Sequence, residues 1–126
     1  MKKYYPERAL TGDSCALACL VSVCKENDIF CDQGEILENY KKDYLHWEAR
    51  PGLLDDNQVI DLADKLGVAK KERSIIKRHP EKKDIVDFLN EPDTAGILVG
   101  IHKNGNHCCK LIHISEDENF SLMNPS

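Results

Sequence analysis

The alternation of apolar and polar positions divides this chain into a helical first part and a strand-like last part. Thr11 to Cys24 reads TGDSCALACLVSVC. A turn at Thr11, Gly12 and Asp13 leads into a run that is apolar on every face, which is the pattern of a buried helix. Asp13 or Ser14 is placed to cap it, and it should run to about Asn27. Asp32 then caps a second predicted helix through about Asp43, with Ile36, Leu37 and Tyr40 on one face. Tyr44 to Leu54, with Trp47 and Arg50-Pro51-Gly52, reads as a loop whose tryptophan packs onto the core. Asp55 or Asp56 starts a third helix with an apolar stripe of Val59, Ile60, Leu62, Ala63 and Leu66, ended by Gly67.

Residues 68–78 carry no decisive period, and Ser74 to Lys77 fits either a short strand or a charged connection. Pro80 suits the first position of a fourth helix containing Ile85, Val86, Phe88 and Leu89, which stops before Pro92. After that the period changes. Ala95 to Ile101 is an apolar run bounded by turn residues, hence a buried strand. Lys103-Asn104-Gly105-Asn106 is a hairpin turn signal, His107 to Ile114 a second strand, Ser115 to Asn119 a second turn, and Phe120 to Asn124 a third strand. Helices followed by an antiparallel meander predict an α+β fold, with the sheet packed on the buried first helix. The length fits one domain spanning residues 1–126.

Charge changes this picture little. The formal net charge is −5, and Lys and Arg are interleaved with Asp and Glu, so no basic stripe for nucleic acid is present. The apolar run of the first helix is far shorter than the roughly 20 residues of a membrane span. Glu7, Arg8 and Asp13 interrupt the stretch after Met1-Lys2-Lys3, so no secretory signal is expected. The expected location is a reducing cytoplasm, with delivery into another cell as an effector the variant. The six cysteines are 15, 19, 24, 31, 108 and 109. They fit buried thiols better than a disulfide framework or a zinc site. No metal or cofactor is expected.

Cys15 stands apart. It opens the buried helix, where unpaired N–H groups and the positive dipole end favour an anion. That makes it the candidate nucleophile, and a nucleophile needs a base and a group to orient the base. His46 and His79 lie in polar, loop-like sequence, His102 flanks a turn, and His113 sits between two isoleucines. His107 opens a strand directly after a turn, at the sheet edge that a crossing helix can reach. Asn124 shares the two-residue period of Phe120 and Leu122, which points it to an apolar side. Folding the last two strands about Ser115 or Glu116 brings Asn124 opposite His107 or Cys108. An Asn124 carbonyl accepting the imidazole N–H would then aim the other nitrogen at Cys15.

Ser14-Cys15-Ala16-Leu17-Ala18-Cys19-Leu20, followed by an apolar helix, resembles the nucleophile segment of C39-like members of the papain-like cysteine peptidase superfamily. The His107 strand and the closing Asn124-Pro125 resemble that family's histidine strand and its Asp-Pro or Asn-Pro. The resemblance implies a papain-like fold, with Cys15 as nucleophile, His107 as base and Asn124 as orienting residue. The family's Gly-Pro after the cysteine is Ala16-Leu17 here, and no glutamine or asparagine precedes Cys15 to supply the oxyanion donor. Thr11, Ser14 or backbone N–H groups at Cys15 would take that part. The expected function is thiol-dependent hydrolysis of a peptide or amide bond in a protein or peptide substrate. A glutamine deamidase of the toxin or effector kind would use the same triad. An inactive peptide-binding module is the alternative from another class.

Overall fold

The computed structural model describes residues 4–78, 80–91, 94–96, 98–101, 107–114 and 120–125, with Leu89, 99–101, 107–114 and 120–121 described in their backbone alone. Four α-helices form: α1 (Cys15–Glu26), α2 (Gln33–Asn39), α3 (Asp56–Lys65) and α4 (Lys82–Leu89). Two single 3-10 turns, Leu45–Glu48 and Lys71–Arg73, lie between them. Three short strands follow, β1 (Leu98–Ile101), β2 (His107–Ile114) and β3 (Phe120–Met123), antiparallel in that order.

The expected papain-like α+β architecture, a buried N-terminal helix packed on a C-terminal antiparallel meander with a helical middle segment, is corrected by a mostly helical chain. The described chain is mostly helical, with more than twice as many residues in helices as in strands. The reason lies in the middle of the chain. Leu17, Leu20, Val21 and Cys24 of α1 pack with Ile36 of α2, Tyr44, Trp47, Leu54, and Leu62 and Ala63 of α3, so among the described side chains the buried cluster is built from helices and the loops between them. The amphipathic middle segment thus supplies apolar faces that the sequence pattern assigns to the sheet. β2 and β1 also run alongside α1.

Every residue from Ala16 to Cys24 is buried. The N-terminal segment helps to close the remaining side, held by two buried polar residues. Ser22 of α1 donates to the Tyr5 carbonyl. Gln33 donates to the Arg8 carbonyl at 2.8 Å and accepts from the Leu10 N–H at 3.3 Å. Lys25 pairs with Glu7, and the Ala9 N–H bonds the Pro125 carbonyl at 2.8 Å. Each of these bonds satisfies a polar group that burial would otherwise penalise.

Local chemistry explains the helix ends. Asp55 and Gln58 form a reciprocal capping box on α3. Asp32 caps α2 by accepting from the Gly34 and Glu35 N–H groups. α2 stops at Asn39, before the expected Asp43, because Lys41-Lys42-Asp43 offers no apolar face and the chain must turn for Tyr44 to be buried. α4 starts at Lys82 with Glu81 as its cap, so Pro80 precedes the helix and does not open it. Ser74 to Lys77 is the irregular connection, with Ile75 and Ile76 exposed. The turns expected at 103–106 and 115–119 lie outside the described residues.

The Tyr44 hydroxyl donates to Asp61 Oδ2 at 2.7 Å. This bond, ahead of Lys65, holds the Asp61 carboxyl below the usual carboxylate range. A depressed carboxyl adds stability above its unfolded pKa of about 3.9 and loses it as pH falls through the folded value. Tyr44→Phe should therefore cost about 1–2 kcal/mol at pH 7. In urea unfolding the gap between the two proteins should narrow below pH ~4 as Asp61 protonates. A gap that stays constant across that range would contradict this coupling.

Candidate functional site

The site is built from two segments far apart in sequence. Cys15 is the first residue of α1, a half-buried free thiol at the point where the buried helix meets the surface. Ala18 is the first residue whose N–H closes the helical ladder, onto the Ser14 carbonyl at 2.9 Å. The N–H groups of Cys15, Ala16 and Leu17 therefore have no acceptor inside the helix.

A short loop grips the turn before Cys15. The Thr11 hydroxyl donates to the Pro51 carbonyl at 2.7 Å. Arg50 donates to Asp13 Oδ1 at 2.7 Å. Gly52 adopts φ +86°, and a Cβ there would come within 2.5 Å of the Ser14 Cβ. Position 52 must be glycine both for its backbone and for that close approach. The sequence places Arg50-Pro51-Gly52 in a loop without revealing that it clamps the turn before Cys15. The available signal is the Pro-Gly pair, which marks a turn but not what the turn touches.

The clamp changes the expected electrostatics. Asp13 is an anion two residues from Cys15, and alone it would oppose a thiolate. Its hydrogen bond to Arg50 holds its carboxyl below the usual range and places a guanidinium beside it. Asp13 does not cap α1. Ser14 is the cap residue, and it makes no side-chain capping bond.

Thr11 and Ser14 stand beside Cys15, but their hydroxyl protons are committed elsewhere. Ser14 Oγ accepts from the Thr11 N–H at 3.0 Å and donates to the Thr11 carbonyl at 3.3 Å. The Thr11 proton goes to Pro51. The backbone N–H groups at the start of α1 have no such partner inside the helix.

At the other end of the chain, β2 pairs with β1 so that His107 faces Ile101. The His107 side chain lies outside the described residues, as do those of His79, His102 and His113. Asn124 lies just beyond β3, in an open groove of about 350 Å³ between that strand and the segment at Tyr4, Pro6 and Arg8. Two expectations for Asn124 are corrected. Met123 and Pro125 are the buried positions, while Leu122 and Asn124 are exposed, so Asn124 is on the outward face. In the pairing of β2 with β3, Ile114 faces Phe120. A register irregularity between Leu111 and His113 then leaves Met123 opposite Lys110. Continued by one residue, that register leads Asn124 towards Cys109, not His107 or Cys108. The bond from Ala9 to Pro125 ties this end of the chain to the segment that leads into Thr11.

His46 is not the free loop residue that its sequence suggests. Its Nε2 lies 2.6 Å from the Leu53 carbonyl, which also accepts from Trp47 Nε1 at 2.8 Å. Among the described residues, no group of three or more His, Cys, Asp or Glu side chains is arranged to hold a metal ion. No helix among them is long and apolar enough to cross a membrane.

No family model, curated protein or solved structure matches this chain.

Two substitutions test the clamp. Gly52→Ala should lower unfolding free energy by about 2–4 kcal/mol in urea titration, from backbone strain plus the clash with Ser14. A change within experimental error would show that the loop relaxes freely. Arg50→Gln should slow alkylation of Cys15 by iodoacetamide at pH 7 by roughly twofold to tenfold, since it leaves the Asp13 charge uncompensated. Asp13→Asn in the same background should restore the rate. An unchanged rate in Arg50→Gln would remove Arg50 from the site.

Proposed function

We propose that the protein is a thiol-dependent hydrolase that acts on a peptide or side-chain amide bond, with Cys15 as nucleophile and His107 as general base. The observation that carries this reading is the position of Cys15, a half-buried free thiol at the N-terminus of a buried helix. Its turn is clamped and the adjacent anion is paired. A thiolate there attacks the substrate carbonyl, and the oxyanion takes N–H groups at the start of α1. The leaving amine takes a proton from His107, and water then releases the acyl group from sulfur. The likeness of the Cys15 segment and of the His107 strand to C39-like cysteine peptidases supports these two roles. Asn124 would orient the imidazole only if its amide turns back from the outward face, so its part is the weakest of the three.

A second reading, a binding module without turnover, is favoured by one observation. The Thr11 and Ser14 hydroxyl protons are both already committed, which leaves the site no side-chain oxyanion donor from that turn. The substrate in either reading is a protein or peptide.

The two readings separate with an electrophilic thiol probe. A catalytic pair predicts labelling of Cys15 that drops at least about tenfold in His107→Ala. Equal labelling of the two proteins sinks the hydrolase reading and leaves the binding module. In the active case, ammonia release without a new N-terminus marks a deamidase, and new N-termini mark a peptidase.

A further inference from the structure

Charge is unevenly placed along this chain. Residues 70–83 hold seven Lys or Arg and two Glu, while the other residues hold ten basic and twenty acidic side chains. A segment of formal charge +5 therefore sits in a chain whose remainder sums to −10. All seven basic residues are exposed. Three lie at the 3-10 turn Lys71–Arg73 and its cap Lys70, and two, Lys82 and Lys83, open α4. Between them runs an irregular stretch, Ser74 to Arg78, in which Ile75 and Ile76 are 67% and 42% exposed. Neither isoleucine belongs to the buried cluster around α1. One exposed aliphatic residue is ordinary, but two side by side among cations form a patch of a different kind.

The neighbouring carboxylates are already engaged in holding the fold. Asp61 accepts from the Tyr44 hydroxyl at 2.7 Å and pairs with Lys65 at 3.0 Å. Asp64 accepts from the Lys71 N–H at 2.8 Å, and Asp84 from the Glu81 N–H at 3.0 Å. Lys71 and Lys77 also pair with Asp61 and Asp84, at 3.6 and 3.1 Å, but as exposed side chains whose pairing is weak and screened by salt.

We propose that residues 70–83 are a docking surface for a membrane leaflet rich in anionic phospholipid. The basic side chains meet lipid phosphates, and Ile75 and Ile76 dip into the boundary between headgroups and acyl chains. The isoleucines favour a bilayer over other polyanions. A nucleic acid backbone or a polyacidic peptide would engage the cations and leave both apolar side chains in water, whereas a fluid lipid interface takes both. Each Lys or Arg near an anionic leaflet contributes about fivefold in affinity, so a few of the seven suffice. The same surface repels the acidic remainder and so turns this segment towards the lipid. No helix among the described residues is long and apolar enough to cross the bilayer, so the contact is peripheral.

The test is co-sedimentation of the full chain with vesicles of phosphatidylcholine containing about 30% phosphatidylserine. Binding should be at least about tenfold tighter than to pure phosphatidylcholine and should weaken as salt is added. Lys77→Glu with Arg78→Glu should weaken it by at least about twentyfold. Ile75→Ser with Ile76→Ser, which leaves every charge in place, should weaken it by about fivefold or more. A matched charge reversal after α2, Lys41→Glu with Lys42→Glu, should weaken it less than about threefold. Equal binding to the two vesicle types would overturn the proposal. So would an isoleucine pair without effect, which marks a general polyanion site, or an equal loss in the Lys41 and Lys42 variant, which marks net charge alone. On the unmodified chain, the mixed vesicles should slow tryptic cleavage after Lys77 and Arg78, and unchanged cleavage there would overturn the proposal even if a variant fails to fold.

Discussion

The structure depends on one constraint: α1 has no face that water can solvate. From Ala16 to Cys24 every residue is buried, so the helix must be covered on all sides. Burial of side chains such as Leu17, Leu20 and Val21 contributes about 1.5–3 kcal/mol each, enough to organise the remaining elements around them. α2, α3 and the Trp47 loop cover much of the helix, β2 runs along it, and the N-terminal segment helps to close the rest. The polar groups inside this wrapping, Ser22 and Gln33, are those that hold the N-terminal segment down.

The same constraint fixes where chemistry is possible. A helix buried along its length reaches the surface only near its ends, and the N-terminal end carries a partly accessible thiol. There Cys15 sits behind a turn locked by Arg50, Pro51 and Gly52. The proposed hydrolase uses this end, where helix N–H groups are unpaired.

The helices are largely legible in the sequence, because their signals are local. The apolar run of α1, the stripe and capping residues of α3, and the cap at Asp32 each arise from a few neighbouring residues. The misleading features are non-local. The pattern cannot say that the middle segment packs its apolar residues with α1, so it predicts a papain-like α+β layout where the described chain is mostly helical. The face of Asn124 is misread because Phe120 and Leu122 look like an inward pair, whereas Met123 and Pro125 are the buried positions. Its register is misread because the pairing Ile114–Phe120, with an irregularity between Leu111 and His113, is set by the strands and not by the composition of the connection. The roles of Thr11 and Ser14 depend on the reach of the Thr11 hydroxyl to Pro51 and of the Ser14 hydroxyl to the Thr11 backbone, which no spacing rule reveals. Cys15 itself is legible, because its meaning depends on its place at a helix start.

The central functional claim is that His107 faces the Cys15 sulfur. It is tested most directly by following the His107 imidazole through a pH titration by NMR, in the wild-type protein and in Cys15→Ala. A thiolate beside the ring favours the imidazolium, so removing the sulfur should lower the His107 midpoint by about one unit or more. Superimposable titration curves for the two proteins would contradict the claim.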